Sequence, residues 1–306
     1  MEIKLAGVIP ALVTPFDEAG EIDEPAFRQQ ISFMLTKNVH GFCVGGSTGE
    51  GHTLTIDETR RLTAIAMEEA NGRVPVVAGI ISNSTRDAIL RAKAVADLGV
   101  AALQITPTFY VFKTEEDDLF RHFKAISEAV PLPIIIYNVI RTNELSAELL
   151  VRLMSEIPGI AAVKQSQGNI KMTADLLLMV PPGKRVYAAI DALLYSCFSM
   201  GAHGTIAAIP TAVPGPCVTL WNAVQEGDHK KGLCIHQKML AFFNTLRHSN
   251  NPACVKYALS LQGCPAGFPR APMPPVSPRQ QAQIKPALEA LLPFDQGSAR
   301  AVGGQP

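Results

Sequence analysis

The chain has 306 residues, 47% of them apolar, and its 27 Lys+Arg are balanced by 27 Asp+Glu. That length accommodates one large domain or two ordinary ones around a sizeable core. The neutral balance argues against nucleic acid or another polyanion as a partner. No apolar run is long enough to span a bilayer, so no membrane partner is expected. Residues 1–4 pass into a strand-like segment without the zones of a secretory leader, which points to a cytoplasmic location.

Along the chain, strand-like runs alternate with amphipathic helical patterns. The strands fall at residues 7–12, 41–44, 74–79, 101–106, 133–137, 160–164, 185–190 and 204–208. They lack polar alternation, as parallel strands buried on both faces do. Helical spacing is clearest at 56–71, 84–98 and 115–129, and Thr55-Ile56-Asp57-Glu58 forms a capping box for the first of these. After the eighth strand, 215–226, 229–247, 252–261 and 278–292 read as helices. Residues 264–278 hold six prolines and read as an extended connector between two of them.

Eight even repeats predict an α/β fold, a (β/α)8 TIM barrel with a C-terminal helical extension. An open doubly wound sheet is the rival, but no second-domain break supports it. The expected division is a barrel over 1–214, a helical extension over 215–295 and a disordered tail over 296–306.

A barrel places its active site at the C-terminal ends of its strands. There the chain carries Gly45-Gly46-Ser47-Thr48-Gly49-Glu50, then Thr106-Pro107-Thr108-Phe109-Tyr110, then Tyr137-Asn138, Lys164-Gln165-Ser166 and Asp191. The run Ile160-Ala161-Ala162-Val163 delivers Lys164 to the barrel mouth. An unprotonated lysine amine, favoured among apolar walls, attacks a ketone to give an imine that accepts electrons from a neighbouring carbanion. An isolated lysine at a strand end is more often a solvated one. Tyr137, on the neighbouring strand, has a phenol able to relay protons, although a tyrosine there also fits as a rim aromatic. The glycines around Ser47 and Thr48 allow a carboxylate-sized nest of N–H and O–H donors; the Gly-Lys-Ser/Thr ending of a nucleotide P-loop is absent.

Other reactive types carry less. His52, His122, His203 and His236 have no partner at metal-ligand spacing, so no metal is expected. The cysteines Cys43, Cys197, Cys217, Cys234, Cys254 and Cys264 lie far apart without a C-x-x-C pair and read as reduced packing residues. Cys43, inside an apolar strand, reads as an inert thiol.

Together these motifs resemble the dihydrodipicolinate synthase / N-acetylneuraminate lyase family of class I aldolases, over nearly the whole chain. The opening run from Gly7 to Phe16, the Gly46-Ser47-Thr48-Gly49-Glu50 loop, Tyr137-Asn138, Val163-Lys164-Gln165-Ser166 and Asn251-Pro252 through Lys256 carry the resemblance. It implies that Lys164 forms the imine with a 2-oxo acid such as pyruvate, that Tyr137 shuttles protons, and that Ser47 and Thr48, with Gly46, hold the carboxylate. Tyr110 matches a tyrosine that reaches into the adjacent subunit's site, so a homotetramer, a dimer of dimers, is expected. Arg141, Asp191 and Ile206 are placed with the substrate-binding residues. No cofactor is expected beyond the lysine imine; the partners are the 2-oxo acid and an aldehyde.

The chain also departs from the family. Tyr137-Asn138-Val139-Ile140-Arg141-Thr142 lacks the usual proline, Ala189-Ile190-Asp191 replaces the synthases' Gly-Asp-Asp turn, and Ala192 stands where the sialic acid lyases have glutamate. Ile140, Ile190 and Ala192 are expected to form an apolar pocket wall. The resemblance implies a pyruvate-dependent aldolase or lyase. A hydro-lyase acting on a 2-keto-3-deoxy sugar acid through the same imine, and a catalytically silent barrel that binds a 2-oxo acid, are the alternatives.

Overall fold

A computed structural model describes residues 5–295; the leader expectation at 1–4 and the tail expectation at 296–306 lie outside them. Eight parallel strands follow one another around a single sheet: β1 (Gly7–Pro10), β2 (Phe42–Val44), β3 (Val76–Ile80), β4 (Ala102–Ile105), β5 (Ile134–Asn138), β6 (Ile160–Gln165), β7 (Arg185–Ala188) and β8 (Gly204–Ala207). β8 pairs back onto β1. β2 meets β1 where the His40 N–H donates to the Val8 carbonyl at 2.8 Å and the Leu12 N–H to the Cys43 carbonyl at 2.9 Å. The sheet therefore closes into a barrel, and the open doubly wound arrangement is excluded.

Around it run α1 (Glu24–Thr36), α2 (Ile56–Ala70), α3 (Thr85–Val95), α4 (Glu116–Ala129), α5 (Ala147–Glu156), α6 (Ile170–Met179), α7 (Leu194–Ser199) and α8 (Ile209–Ala212). The capping box of α2 is formed: the Thr55 hydroxyl accepts from the Glu58 N–H, and the Glu58 carboxylate accepts from the Thr55 N–H. Next comes α9 (Pro214–Gln225), packed against β1 and α7. α10 (His229–Leu246), α11 (Asn251–Ser260) and α12 (Pro278–Glu289) pack on one another, and α11 also lies against α8. Among the described residues no helix is long and apolar enough to cross a membrane.

The strands are apolar on both faces because each face meets a different layer. Outward residues join two large clusters beneath the helices. Residues Ile9, Cys43, Val77, Ala102, Ile135, Ala161, Ala162, Tyr187 and Ile206, two from β6 and one from each other strand, fill the barrel interior with Leu5. This filled layer is the floor on which the site stands.

The proline-rich connector joins α11 to α12 and also docks on the barrel. The Phe268 N–H donates to the Phe16 carbonyl at 2.7 Å, and the Phe16 N–H returns a bond to the Phe268 carbonyl at 3.3 Å. Gly267 makes the approach possible: its φ is +60°, and a Cβ there would lie 2.4 Å from the Phe16 carbonyl oxygen.

Candidate active site

Side chains on a strand alternate between faces, so the inward residue above any interior residue lies two positions further on. Two beyond Ile135, Ala162, Tyr187 and Ile206 come Tyr137, Lys164, Ala189 and Ala208. These four, with Ser47, Thr48, Asp191, Ala207, Asn251 and Pro252, line a cavity of about 250 Å³ at the C-terminal end of the barrel.

Lys164 is 3% exposed, and its Nζ lies 3.6 Å from the centroid of the Tyr137 ring. Tyr137 and Lys164 are register partners on β5 and β6. Among the described residues the amine has no hydrogen-bond or ion-pair partner, so no carbonyl or carboxylate holds its protons as a paired ammonium. The strand ends are braced from outside: the Asn138 amide donates to the Gln165 side chain at 3.0 Å and to the Leu145 carbonyl at 3.1 Å, and accepts from the Leu145 N–H at 3.0 Å. The residues after the tyrosine and the lysine thus lock their strands together.

Asp191 is buried at the cavity edge. Burial pushes its carboxyl up to about 6, opposed by the Ile209 N–H, which donates to Oδ1 at 2.8 Å, and by nearby Lys164. The Cys43 thiol, in the interior beneath, is pushed up to about 11 by burial, which removes it as a nucleophile at neutral pH.

The loop carrying Ser47 and Thr48 is a tight turn. The Glu50 N–H donates to the Ser47 carbonyl at 3.1 Å, the Gly51 N–H to the Gly46 carbonyl at 3.0 Å, and the Thr14 hydroxyl to the Gly49 carbonyl at 2.6 Å. A Cβ at Gly51 would fall 1.8 Å from the Gly45 carbonyl oxygen. The backbone folds onto itself more closely than any larger residue permits, and the two hydroxyl residues line the cavity together with Lys164.

The structure therefore brings together five of the residues singled out in the sequence: Lys164, Tyr137, Ser47, Thr48 and Asp191. Ile206 belongs to the sealed interior layer, one inward position too deep, and Ala208 occupies the level assigned to it. Gly46 is buried within the turn and Arg141 is exposed; neither lines the cavity. Tyr110 is 64% exposed and lies outside the cavity. The wall is apolar, but it is built from Ala189, Ala207, Ala208 and Pro252; Ile140, Ile190 and Ala192 are half-buried and lie outside it. Asn251 and Pro252, more than eighty residues past the lysine, were not assigned to the site; nothing in local periodicity marks a helix start as a cavity wall. Among the described residues no three of His, Cys, Asp and Glu gather as a metal site requires.

A closed parallel barrel with an unpaired, buried lysine beside a tyrosine and a hydroxyl-bearing loop defines a carbon–carbon lyase of the class I aldolase type. The chain belongs to the Dihydrodipicolinate synthetase family, whose sequence profile matches residues 4–291. It is 34% identical over 288 residues to 4-hydroxy-tetrahydrodipicolinate synthase 1 of Halalkalibacterium halodurans, covering 94% of this chain and 97% of that one. The dihydrodipicolinate synthase of Aquifex aeolicus superposes with a TM-score of 0.88 at 29% identity, covering 95% and 99% of the two chains. A prophage protein of E. coli from the dihydrodipicolinic acid synthase family, solved in complex with pyruvate, gives 0.89 at 25% identity, covering 94% and 99%.

Proposed function

We propose that the chain joins pyruvate to an aldehyde, or cleaves the adduct, through an imine on Lys164. The observation that carries this reading is the buried Lys164 amine, without a competing partner, 3.6 Å from the Tyr137 ring in a cavity walled by Ser47 and Thr48.

The Lys164 lone pair attacks the ketone carbon, and loss of water from the carbinolamine leaves a protonated imine. Loss of a proton from the adjacent carbon gives an enamine. That carbon attacks the aldehyde, whose oxygen takes up a proton, and hydrolysis of the new imine releases product and restores the amine. Tyr137, whose ring lies 3.6 Å from the amine, is assigned to move protons among the amine, carbinolamine and aldehyde oxygen. Ser47 and Thr48 hold the carboxylate so that the ketone faces the amine. Asp191, a carboxylate at neutral pH, accepts a hydrogen bond from a substrate hydroxyl. The imine is itself the electron sink, so the scheme calls on no cofactor.

The relatives are named as synthases, which favours carbon–carbon bond formation over the hydro-lyase and the silent binder. A homotetramer, as expected from the family, accords with Tyr110: Phe109, Tyr110, Val111 and Phe112 form an exposed apolar stretch suited to a neighbouring subunit. A cytoplasmic site of action is part of the same reading.

The test is aldehyde-dependent consumption of pyruvate across an aldehyde panel, with Lys164→Ala as control. Consumption by the native chain alone supports the reading; consumption by neither, or equally by both, overturns it.

A further inference from the structure

Glu50 lies two residues beyond Thr48 and is completely buried, with a left-handed backbone (φ +55°). Its carboxylate is fully engaged by the C-terminal part of the chain. Oε1 accepts from the Lys256 ammonium at 2.6 Å, and Oε2 from the Arg270 N–H at 2.9 Å. Lys256 is 2% exposed and donates also to the Phe268 carbonyl at 2.6 Å. Arg270 then clasps Glu58 of α2 and the Gly20 and Thr53 carbonyls. The Phe16 ring lies beneath both cations, 4.8 Å from the Lys256 Nζ and 4.2 Å from the Arg270 Cζ.

Two features make this pair more than a staple. The Glu50 N–H closes the turn onto the Ser47 carbonyl, so fixing the Glu50 side chain fixes the turn that displays Ser47 and Thr48. On the other side, Lys256 lies one helical turn beyond Pro252 on the same face of α11, and Pro252 and Asn251 line the same cavity as Ser47 and Thr48. One ion pair thus joins the two segments that supply Ser47 and Thr48, and Asn251 and Pro252, to the cavity holding the Lys164 amine. A buried pair of this kind brings little net stability over an apolar pair of similar volume; what it does fix is the approach of the two segments it joins.

We infer that Glu50 and Lys256 are positioning residues that set the separation between the hydroxyl loop and the start of α11, and so the fit of the substrate carboxylate. The inference rests on the imine reading for its substrate. Removing the pair loosens carboxylate capture and leaves the amine itself intact.

The experiment is borohydride trapping by the full chain over a range of pyruvate concentrations, for native protein, Glu50→Gln and the double variant Glu50→Gln/Lys256→Met, with unfolding followed alongside. The single variant leaves a buried ammonium without its counter-charge and is expected to lose stability; the double variant removes both charges and is expected to regain it. The expected result is a half-saturating pyruvate concentration raised about tenfold or more in the double variant, a fold-change equal to about 1.4 kcal/mol. Its maximal trapping rate stays within about threefold of native, because the Lys164 chemistry is untouched. A double variant as stable as native, with native half-saturation, overturns the inference, since the pair then sets neither stability nor carboxylate capture. So does a double variant with native half-saturation and a collapsed maximal rate. If the native chain yields no adduct, the imine reading fails and this inference with it; an adduct with identical saturation curves defeats only this one.

Discussion

The Lys164 amine and the Tyr137 ring face each other at 3.6 Å on adjacent strands, where the two residues are direct register partners. Pairing fixes their separation through the backbone ladder, so the contact does not depend on a flexible loop. Tyr137→Phe keeps the ring at the amine and removes only the hydroxyl. The adduct with pyruvate is then expected to form still, while turnover with an aldehyde falls about 10²–10⁴-fold. A turnover number within about threefold of native removes the phenol from proton transfer.

The Asp191 carboxyl, raised by burial from 3.8 to about 6, makes stability depend on pH. The folded state holds this proton more tightly than the unfolded state. Its contribution is therefore complete below about 3.8 and is lost as the pH rises through about 6. The loss is on the order of 3 kcal/mol. Urea unfolding of native protein and Asp191→Asn between pH 3.5 and 7.5, on the order of the window set by linkage, reads the difference. The native curve is expected to fall relative to the variant as pH rises, and parallel curves contradict the raised value.

Register separates Ile206 from Ala208. Ile206→Ala empties part of the sealed interior and is expected to cost about 2–5 kcal/mol of stability, with the half-saturating pyruvate concentration little changed. Ala208→Leu intrudes on the cavity and is expected to abolish turnover with a smaller loss of stability. Unfolding and steady-state kinetics on the two variants check the assignment; the opposite pattern places Ile206 in the site.

At Gly51 a side chain has no space, since its Cβ would fall 1.8 Å from the Gly45 carbonyl oxygen. Gly51→Ala is expected to open the turn, destabilise the protein by about 1–3 kcal/mol and weaken pyruvate binding through displaced Ser47 and Thr48. Unchanged binding shows that the carboxylate is held elsewhere.

The barrel was readable because burial on both faces leaves each strand a short, uninterrupted apolar run, and such runs recur with helical stretches between them. Lys164 and Tyr137 were readable because they end such runs with chemistry that packing does not require. Ile206 was placed one level too deep because apolar content marks a strand but not the height of a residue in the barrel; that height depends on alternation counted from the closed sheet. Asn251, Pro252 and the bond from Lys256 to Glu50 join positions 206 residues apart. No local pattern encodes that approach, which accompanies the tertiary docking of Phe268 on Phe16 and of α11 on α8. Arg141, expected among the substrate-binding residues although its segment lacks the family's proline, sits in a single helical turn at the surface.

The most direct measurement is borohydride reduction in the presence of pyruvate, followed by peptide mass spectrometry of the native chain and of Lys164→Ala. The expected result is one reduced pyruvyl adduct, on the peptide containing Lys164, absent from the variant. An adduct on another lysine, or none on the folded native chain with pyruvate and other 2-oxo acids, contradicts imine chemistry at Lys164.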